Sequence, residues 1–261
     1  MSYKQSTYVS KPVDANGIAQ YTDEENDVWH TLIMRQLKVV ENRACDEYLH
    51  GIELLNLPKE RIPQCPEISK ALLEATGWAL EPVPALIPFE KFFYLLANRR
   101  FPAATFIRRP EELDYLQEPD IFHEIFGHCP LLTNPAYAEF THMYGKLGLN
   151  ANKEDRALLA RLYWFTIEFG LIKNKNGLRV YGGGILSSKG ETIYSLEDPS
   201  VQRKPFDVMD VLRTPYRIDI MQPIYFVLNN FDTLYDLTNT DLIALIRKAQ
   251  ELGEYAPSYP T

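Results

Sequence analysis

The stretch Glu118-Pro119-Asp120-Ile121-Phe122-His123-Glu124-Ile125-Phe126-Gly127-His128-Cys129-Pro130 constrains this chain more than any other, because it holds two of its five histidines. Imidazole is the commonest protein ligand for divalent transition metals, so two so close together point to a metal site. Zinc-protease helices carry His-Glu-x-x-His, which sets both imidazoles on one face. Here one residue more lies between them, and on an α-helix the two rings would stand about 140° apart. They converge on one ion only if the helix ends or loosens between them, and Gly127 and Pro130 offer that break. The competing possibility is a short amphipathic helix with two hydrogen-bonded histidines. A third ligand would separate the two.

The 261 residues are 46% hydrophobic and 24% charged, ample for a sizeable core in one large domain or at most two. A net charge of -8 disfavours a nucleic-acid partner, which calls for a basic face. No apolar run is long enough to span a bilayer, and Met1-Ser2-Tyr3-Lys4-Gln5 lacks a signal-peptide core, so a cytoplasmic protein without a membrane role is expected. Three widely spaced cysteines, Cys45, Cys65 and Cys129, argue against a disulfide framework. Cys129, beside His128, reads as a small buried thiol.

In chain order, residues 1–21 are polar and expected to hug the surface or fray. Thr22-Asp23-Glu24-Glu25 forms a capping box for one long helix with the stripe Val28, Trp29, Leu32, Ile33, Leu37, Val40, Ala44 and Tyr48, closing at Gly51. Pro66 and Gly77 bracket a second helix with Ile68, Leu72 and Leu73 facing in. The prolines of Glu81-Pro82-Val83-Pro84-Ala85-Leu86-Ile87-Pro88 forbid a helix and leave an apolar loop, suited to a flat ligand or to a buried connection. A helix from about Phe89 to Asn98 presents Phe92 and Phe93. A strand over Ala103–Ile107 ends in Arg108, whose planar fork could clamp a carboxylate or simply face water.

Asn134-Pro135 and Asn152-Lys153 open two further helices. The second, Ala157 to Gly170, is apolar almost all round and therefore buried. Glu168 near its end would be costly there unless paired or bound to a metal. Arg161 is the rival partner, but with the histidine pair in view Glu168 is the best third ligand. Lys175-Asn176-Gly177 turns a hairpin. Gly182-Gly183-Gly184-Ile185-Leu186-Ser187-Ser188 lets backbone approach something closely and lacks phosphate-loop spacing. Strands are expected at Thr192–Tyr194 and Tyr216–Ile220, and a last amphipathic helix at Leu242–Leu252. The sum is a mainly α chain with a few short strands. Two histidines and a carboxylate with open positions form the facial triad of non-haem iron(II) oxygenases. A zinc hydrolase with Glu124 as general base, or a non-catalytic binding module, are the alternatives.

Three segments, Pro119–His128, Tyr163–Gly170 and Tyr181–Ser188, resemble the tetrahydropterin-dependent aromatic amino acid hydroxylases, in the right order and at the right separations from about Tyr21 to about Asn230. The resemblance implies a single catalytic domain over 1–261, a basket of helices around a mononuclear metal site. Its ends, 1–21 and 254–261, would be loosely packed, with no regulatory domain and no tetramerisation helix, hence a monomer or dimer. It implies Fe(2+) on His123, His128 and Glu168, and a tetrahydropterin along Val83, Ala85, Leu86 and Ile87, stacked on Phe92 near Glu124, Ala160 and Tyr163. It implies L-phenylalanine as substrate, its carboxylate on Arg108 and its ring against Pro119, Trp164 and His123, bordered by Gly184 and Ser187. Ser187 would also orient the His123 imidazole. Dioxygen would be the co-substrate, L-tyrosine the product and phenylalanine catabolism the setting, with His123, His128, Glu168 and Glu124 as the catalytic set. The chain departs from its animal relatives at Ala85, Phe89 and Leu116. Ile218 stands where tyrosine hydroxylases carry an acid, which favours phenylalanine.

Overall fold

The computed structural model describes residues 6, 8–114, 116 and 118–259. The fold is mainly helical, as the periodicities require. The capping box closes as expected, with Thr22 Oγ1 accepting from the Glu25 N–H and the Glu25 carboxylate accepting from the Thr22 N–H. The helix it opens, α1 (Asp23–Val40), stops well short of Gly51, however. Asn42 turns the chain at φ +60°. Cys45 N–H then bonds the Val180 carbonyl, and the Val180 N–H bonds the Arg43 carbonyl. A long-range backbone pairing thus outcompetes helix continuation, and α2 (Asp46–Leu55) begins afresh. Gly51 is interior to α2 rather than a cap: a Cβ there would lie 2.1 Å from the Pro130 carbonyl oxygen.

Helix α3 (Cys65–Thr76) ends at Gly77 in the left-handed conformation, φ +78°. Ile68 and Leu72 are buried, but Leu73 is exposed. Strand β1 (Ala79–Val83) takes the first part of the proline-rich stretch, leaving 84–88 as the loop. It pairs in parallel with β2 (Arg100–Ala104) across the crossover helix α4 (Phe89–Ala97). Strand β2 is thus offset from its expected place. From Thr105 onward the backbone is taken over by the chain's start: the Thr105 N–H bonds Ser10 Oγ, and Thr105 Oγ1 donates to the Lys11 carbonyl. Arg108 lies beyond the strand, not at its end. Of the segment 1–21, residues 1–5 and 7 fall outside the described residues; the remainder is tied down by these bonds and by a Val13–Ala19 bridge.

Next come α5 (Cys129–Leu132), α6 (Pro135–Asn150) and α7 (Lys153–Tyr163), the last two capped by Asn134 and Asn152 as their sequences require. The hairpin β3 (Leu171–Asn174) and β4 (Gly177–Val180) joins β5 (Gln202–Pro205) and β6 (Ile224–Leu228) in a sheet ordered β4-β3-β6-β5. Helices α8 (Gly183–Leu186), α9 (Lys189–Glu197), α10 (Val208–Arg213), α11 (Asp232–Leu237) and α12 (Leu242–Leu252) complete the chain. Thr192–Tyr194 is helical, inside α9, whose start is capped by the Ser188 hydroxyl accepting from the Glu191 N–H; the Thr192 hydroxyl turns back to the carbonyls of Ser188 and Ile185. Tyr216–Ile220 is a loop, because its carbonyls are held by a side chain rather than by a neighbouring strand. Residues 254–258 are exposed, and Tyr255 alone reaches α10, its N–H on the Arg213 carbonyl and its ring under the Arg213 guanidinium; residues 260–261 fall outside the described residues.

One apolar cluster extends from Val28 to Ala249. At its middle Phe122 and Phe126 stack at 4.9 Å, flanked edge-on by Trp29 and Tyr48. These rings carry the histidine segment on their far side. Among the described residues no helix is long and apolar enough to cross a membrane.

Candidate metal centre

The helix between the two histidines loosens rather than ends. His123–His128 is a π-helical turn running straight into α5. Widening the bonding from i→i+4 to i→i+5 brings residues five apart onto nearly the same face. Proline 130 does not break it. A continuing α-helix would use the residue-130 N–H for the Phe126 carbonyl; here the Tyr48 hydroxyl supplies that bond at 2.7 Å. A second π-turn, Trp164–Glu168, extends α7 and aims Glu168 at the pair.

One ligand atom from each of His123, His128 and Glu168 lies within 4.8 Å of the other two. The two Nε2 atoms are 3.0 Å apart; His128 Nε2 is 3.3 Å from Glu168 Oε1, and His123 Nε2 is 3.7 Å from Glu168 Oε2. Two ligands about 2.1 Å from one first-row ion are about 3.0 Å apart at a right angle and about 3.4 Å apart at a tetrahedral one. The three donors therefore fit a single ion. Arg161, the rival partner of Glu168, instead bonds the Leu212 carbonyl and Glu254.

Ser187 settles the His123 tautomer. Its hydroxyl donates to the Gly183 carbonyl at 2.9 Å, so it must accept from His123 Nδ1–H, also at 2.9 Å. The His123 Nε2 lone pair is then free to face the cluster. Burial, reinforced by His128 and opposed by Glu168, lowers the His123 pKa to about 4. Burial alone would raise the Glu168 carboxyl; the two histidines and the Gly184 N–H outweigh it and hold Glu168 below its usual range. A neutral imidazole beside a carboxylate is the donor state a metal requires. Close approach makes it possible: a Cβ on Gly183 would sit 2.4 Å from the His128 ring, and one on Gly127 2.6 Å from the Gly183 carbonyl oxygen.

Arg108 is buried, and its fork is bidentate to Asp120, Nε to Oδ2 at 2.9 Å and Nη2 to Oδ1 at 3.0 Å. Asp120 also accepts from the Arg108 and His123 backbone N–H groups. It caps the histidine turn while holding the arginine. Asp120 has no role among the sequence-based expectations, though an aspartate three residues before the first histidine is an N-cap signal. Glu124 is buried, and burial, then the charges of Glu168 and Asp120, push its carboxyl well above the usual range. Tyr163 is raised likewise, with Glu168 and Glu124 both acting on it.

Phe92 meets Tyr163 edge-on at 5.4 Å. Trp164 stacks on Tyr216 and tilts against Phe169. Pro119, Phe92, Ala160, Tyr163, Trp164 and Gly184 are all partly exposed, as are His123 and Glu168, whereas His128 is buried. Val83 is buried, with its carbonyl on Ser10 Oγ, whereas Ala85, Leu86 and Ile87 run along the loop with Leu86 exposed. Gln222, which joins Trp164 to the preceding loop 216–221, carried no sequence signal.

A mainly α fold that brings two imidazoles and one carboxylate together from two π-turns has the donor set of the facial-triad class of mononuclear metal sites. Residues 3–248 match the family model described as biopterin-dependent aromatic amino acid hydroxylase. The chain belongs to that family. It is 61% identical over 257 residues to a phenylalanine-4-hydroxylase of Pseudomonas aeruginosa, covering 98% of each. Among solved structures it is similar to the apo form of a cold-active phenylalanine hydroxylase from Colwellia psychrerythraea 34H, with TM-score 0.95, 56% identity, and coverage of 97% of this chain and 98% of that one. It is also similar to a Chromobacterium violaceum phenylalanine hydroxylase with bound oxidised Fe(III), with TM-score 0.88, 45% identity, and coverage of 94% and 91%. Family membership overturns the zinc-hydrolase alternative.

Proposed function

We propose that the chain is an iron(II)- and tetrahydropterin-dependent monooxygenase that hydroxylates L-phenylalanine to L-tyrosine with dioxygen, opening phenylalanine catabolism in the cytoplasm. The observation that carries it is the convergence of His123, His128 and Glu168 from two π-turns. We assign the metal to these three residues. Bound there, iron and the reduced pterin together supply the oxygen activation. The protein's own residues bind, orient and exclude water. Val83, Ala85, Leu86 and Ile87 with Phe92, Ala160 and Tyr163 would seat the pterin, with the Glu124 carboxyl, raised by burial, near it. Arg108, already braced by Asp120, has guanidinium hydrogens left for the amino-acid carboxylate. Pro119, Trp164, His123, Gly184 and Ser187 would frame the ring. The chain would act as one catalytic domain, monomeric or dimeric.

The test is aerobic turnover of phenylalanine by the purified, iron(II)-loaded protein, with and without a tetrahydropterin. Tyrosine formed only when iron, pterin and oxygen are all present is expected. Protein that holds iron and pterin yet makes no tyrosine would overturn the substrate.

A further inference from the structure

Gln222 is buried, 2% exposed, and its amide is engaged on both sides. Its Oε1 accepts from the Trp164 indole N–H at 3.0 Å. Its Nε2 donates to the Arg217 carbonyl at 2.8 Å and to the Ile220 carbonyl at 2.9 Å. An indole N–H can only donate, so the amide can be seated only one way round, and both its hydrogens then face the loop. The Gln222 backbone is itself fixed, its N–H donating to buried Glu191 at 3.0 Å, while the Tyr225 hydroxyl donates to the same oxygen. One side chain therefore joins two walls. The first is Trp164, 4.4 Å from the Phe169 ring, which in turn borders Gly184 beside Glu168 Oε2. The second is the loop 216–221, whose Tyr216 stacks on Trp164 at 4.6 Å and whose Ile218 and Met221 are exposed.

We propose that Gln222 is a positioning residue that locks the Trp164 indole and the loop 216–221 into one wall, fixing how an aromatic ring lies over the metal-binding triad. The inference rests on the assignment of Trp164 to the amino-acid site. Replacing Gln222 by leucine keeps the volume and frees the Arg217 and Ile220 carbonyls to turn to water at the rim. The indole N–H, however, loses its one acceptor, and the loop loses its tie.

Gln222→Leu is expected to raise the phenylalanine KM about tenfold, with the pterin KM within about twofold and the cobalt(II) stoichiometry unchanged. A larger share of hydroxylation at the meta carbon should accompany it. Trypsin should cut faster after Arg217 in the metal-loaded protein, and the emission of Trp164 should shift, since Trp29 and Trp78 are fully buried and report little. In a Trp164→Phe background, which has no indole N–H, adding Gln222→Leu should cost far less than its tenfold. Unchanged phenylalanine KM and trypsin rate in Gln222→Leu would overturn the inference, as would full additivity in the double variant. A wild-type protein that forms no tyrosine would overturn the functional assignment instead; the proteolysis and emission measurements would still decide whether Gln222 ties indole to loop.

Discussion

The Ser187 hydroxyl has one hydrogen, and because it goes to the Gly183 carbonyl the tautomer of a ring on another helix follows. Ser187→Ala leaves the His123 Nδ1–H without that acceptor and the ring free to rotate. Metal affinity is expected to fall about 10–100-fold, read by cobalt(II) titration. Asp120 is equally consequential, since four hydrogen bonds from two residues converge on its carboxylate. Breaking a buried ion pair from one side leaves the other charge uncompensated. Asp120→Ala is expected to cost roughly 3–5 kcal/mol of stability, seen as a lower urea midpoint, and to raise the phenylalanine KM. A midpoint like that of wild type would show that Arg108 finds another partner.

The π-turn at His123–His128 is what makes a five-residue histidine spacing workable, and it depends on groups outside itself. The turn at His123–His128 needs the Tyr48 hydroxyl for a carbonyl that Pro130 cannot serve. It also needs the glycine-rich start of α8 to lie against it. Gly183→Ala would place a methyl 2.4 Å from the His128 ring. Overpacking of this kind costs about 1–3 kcal/mol, and here the ring must move off the cluster, so a lower melting temperature together with substoichiometric iron is expected. Gly190→Ala is the control, because its added methyl would meet only the flexible end of Met221. Equal metal content in both variants would remove the close approach from the account. In sequence Gly127 and Pro130 look like a helix break, because periodicity cannot register a widened turn whose carbonyl is satisfied from a distant helix.

Metal binding would link segments that are far apart in the chain, so its effect should be global. At a cobalt(II) concentration about 100 times its Kd, stabilisation of about 2.7 kcal/mol is expected. For a chain of this size that is a rise of roughly 5–10 °C in the melting temperature, most of it lost in Glu168→Gln. The metal-free protein should also respond to pH. His123 titrates near 6.5 when unfolded and at about 4 when folded. Between those values the unfolded chain binds more protons, so stability rises with pH across the window and is lost as pH falls through it. The loss attributable to this ring is roughly 3 kcal/mol between pH 7 and pH 4. It is measured as the difference in pH dependence between wild type and His123→Gln, and parallel curves would contradict it.

The capping box at Thr22, the hairpin at Lys175-Asn176-Gly177, the asparagine caps of α6 and α7 and the span of α12 were all legible from residue order. So were the triad residues, through side-chain chemistry and motif. Each of those features depends on neighbours a few positions away, or on residue types too costly to bury without a partner. The break between α1 and α2, the helical state of Thr192–Tyr194, the loop at 216–221, the pairing of Asp120 with Arg108 and the role of Gln222 were not legible. They depend on which carbonyl or side chain folding brings alongside: Val180 for Cys45, Ile185 for Thr192, Trp164 for Gln222. Local patterning chooses the elements, but a buried polar group must take whatever partner the packed chain offers, and that partner is set by the fold as a whole.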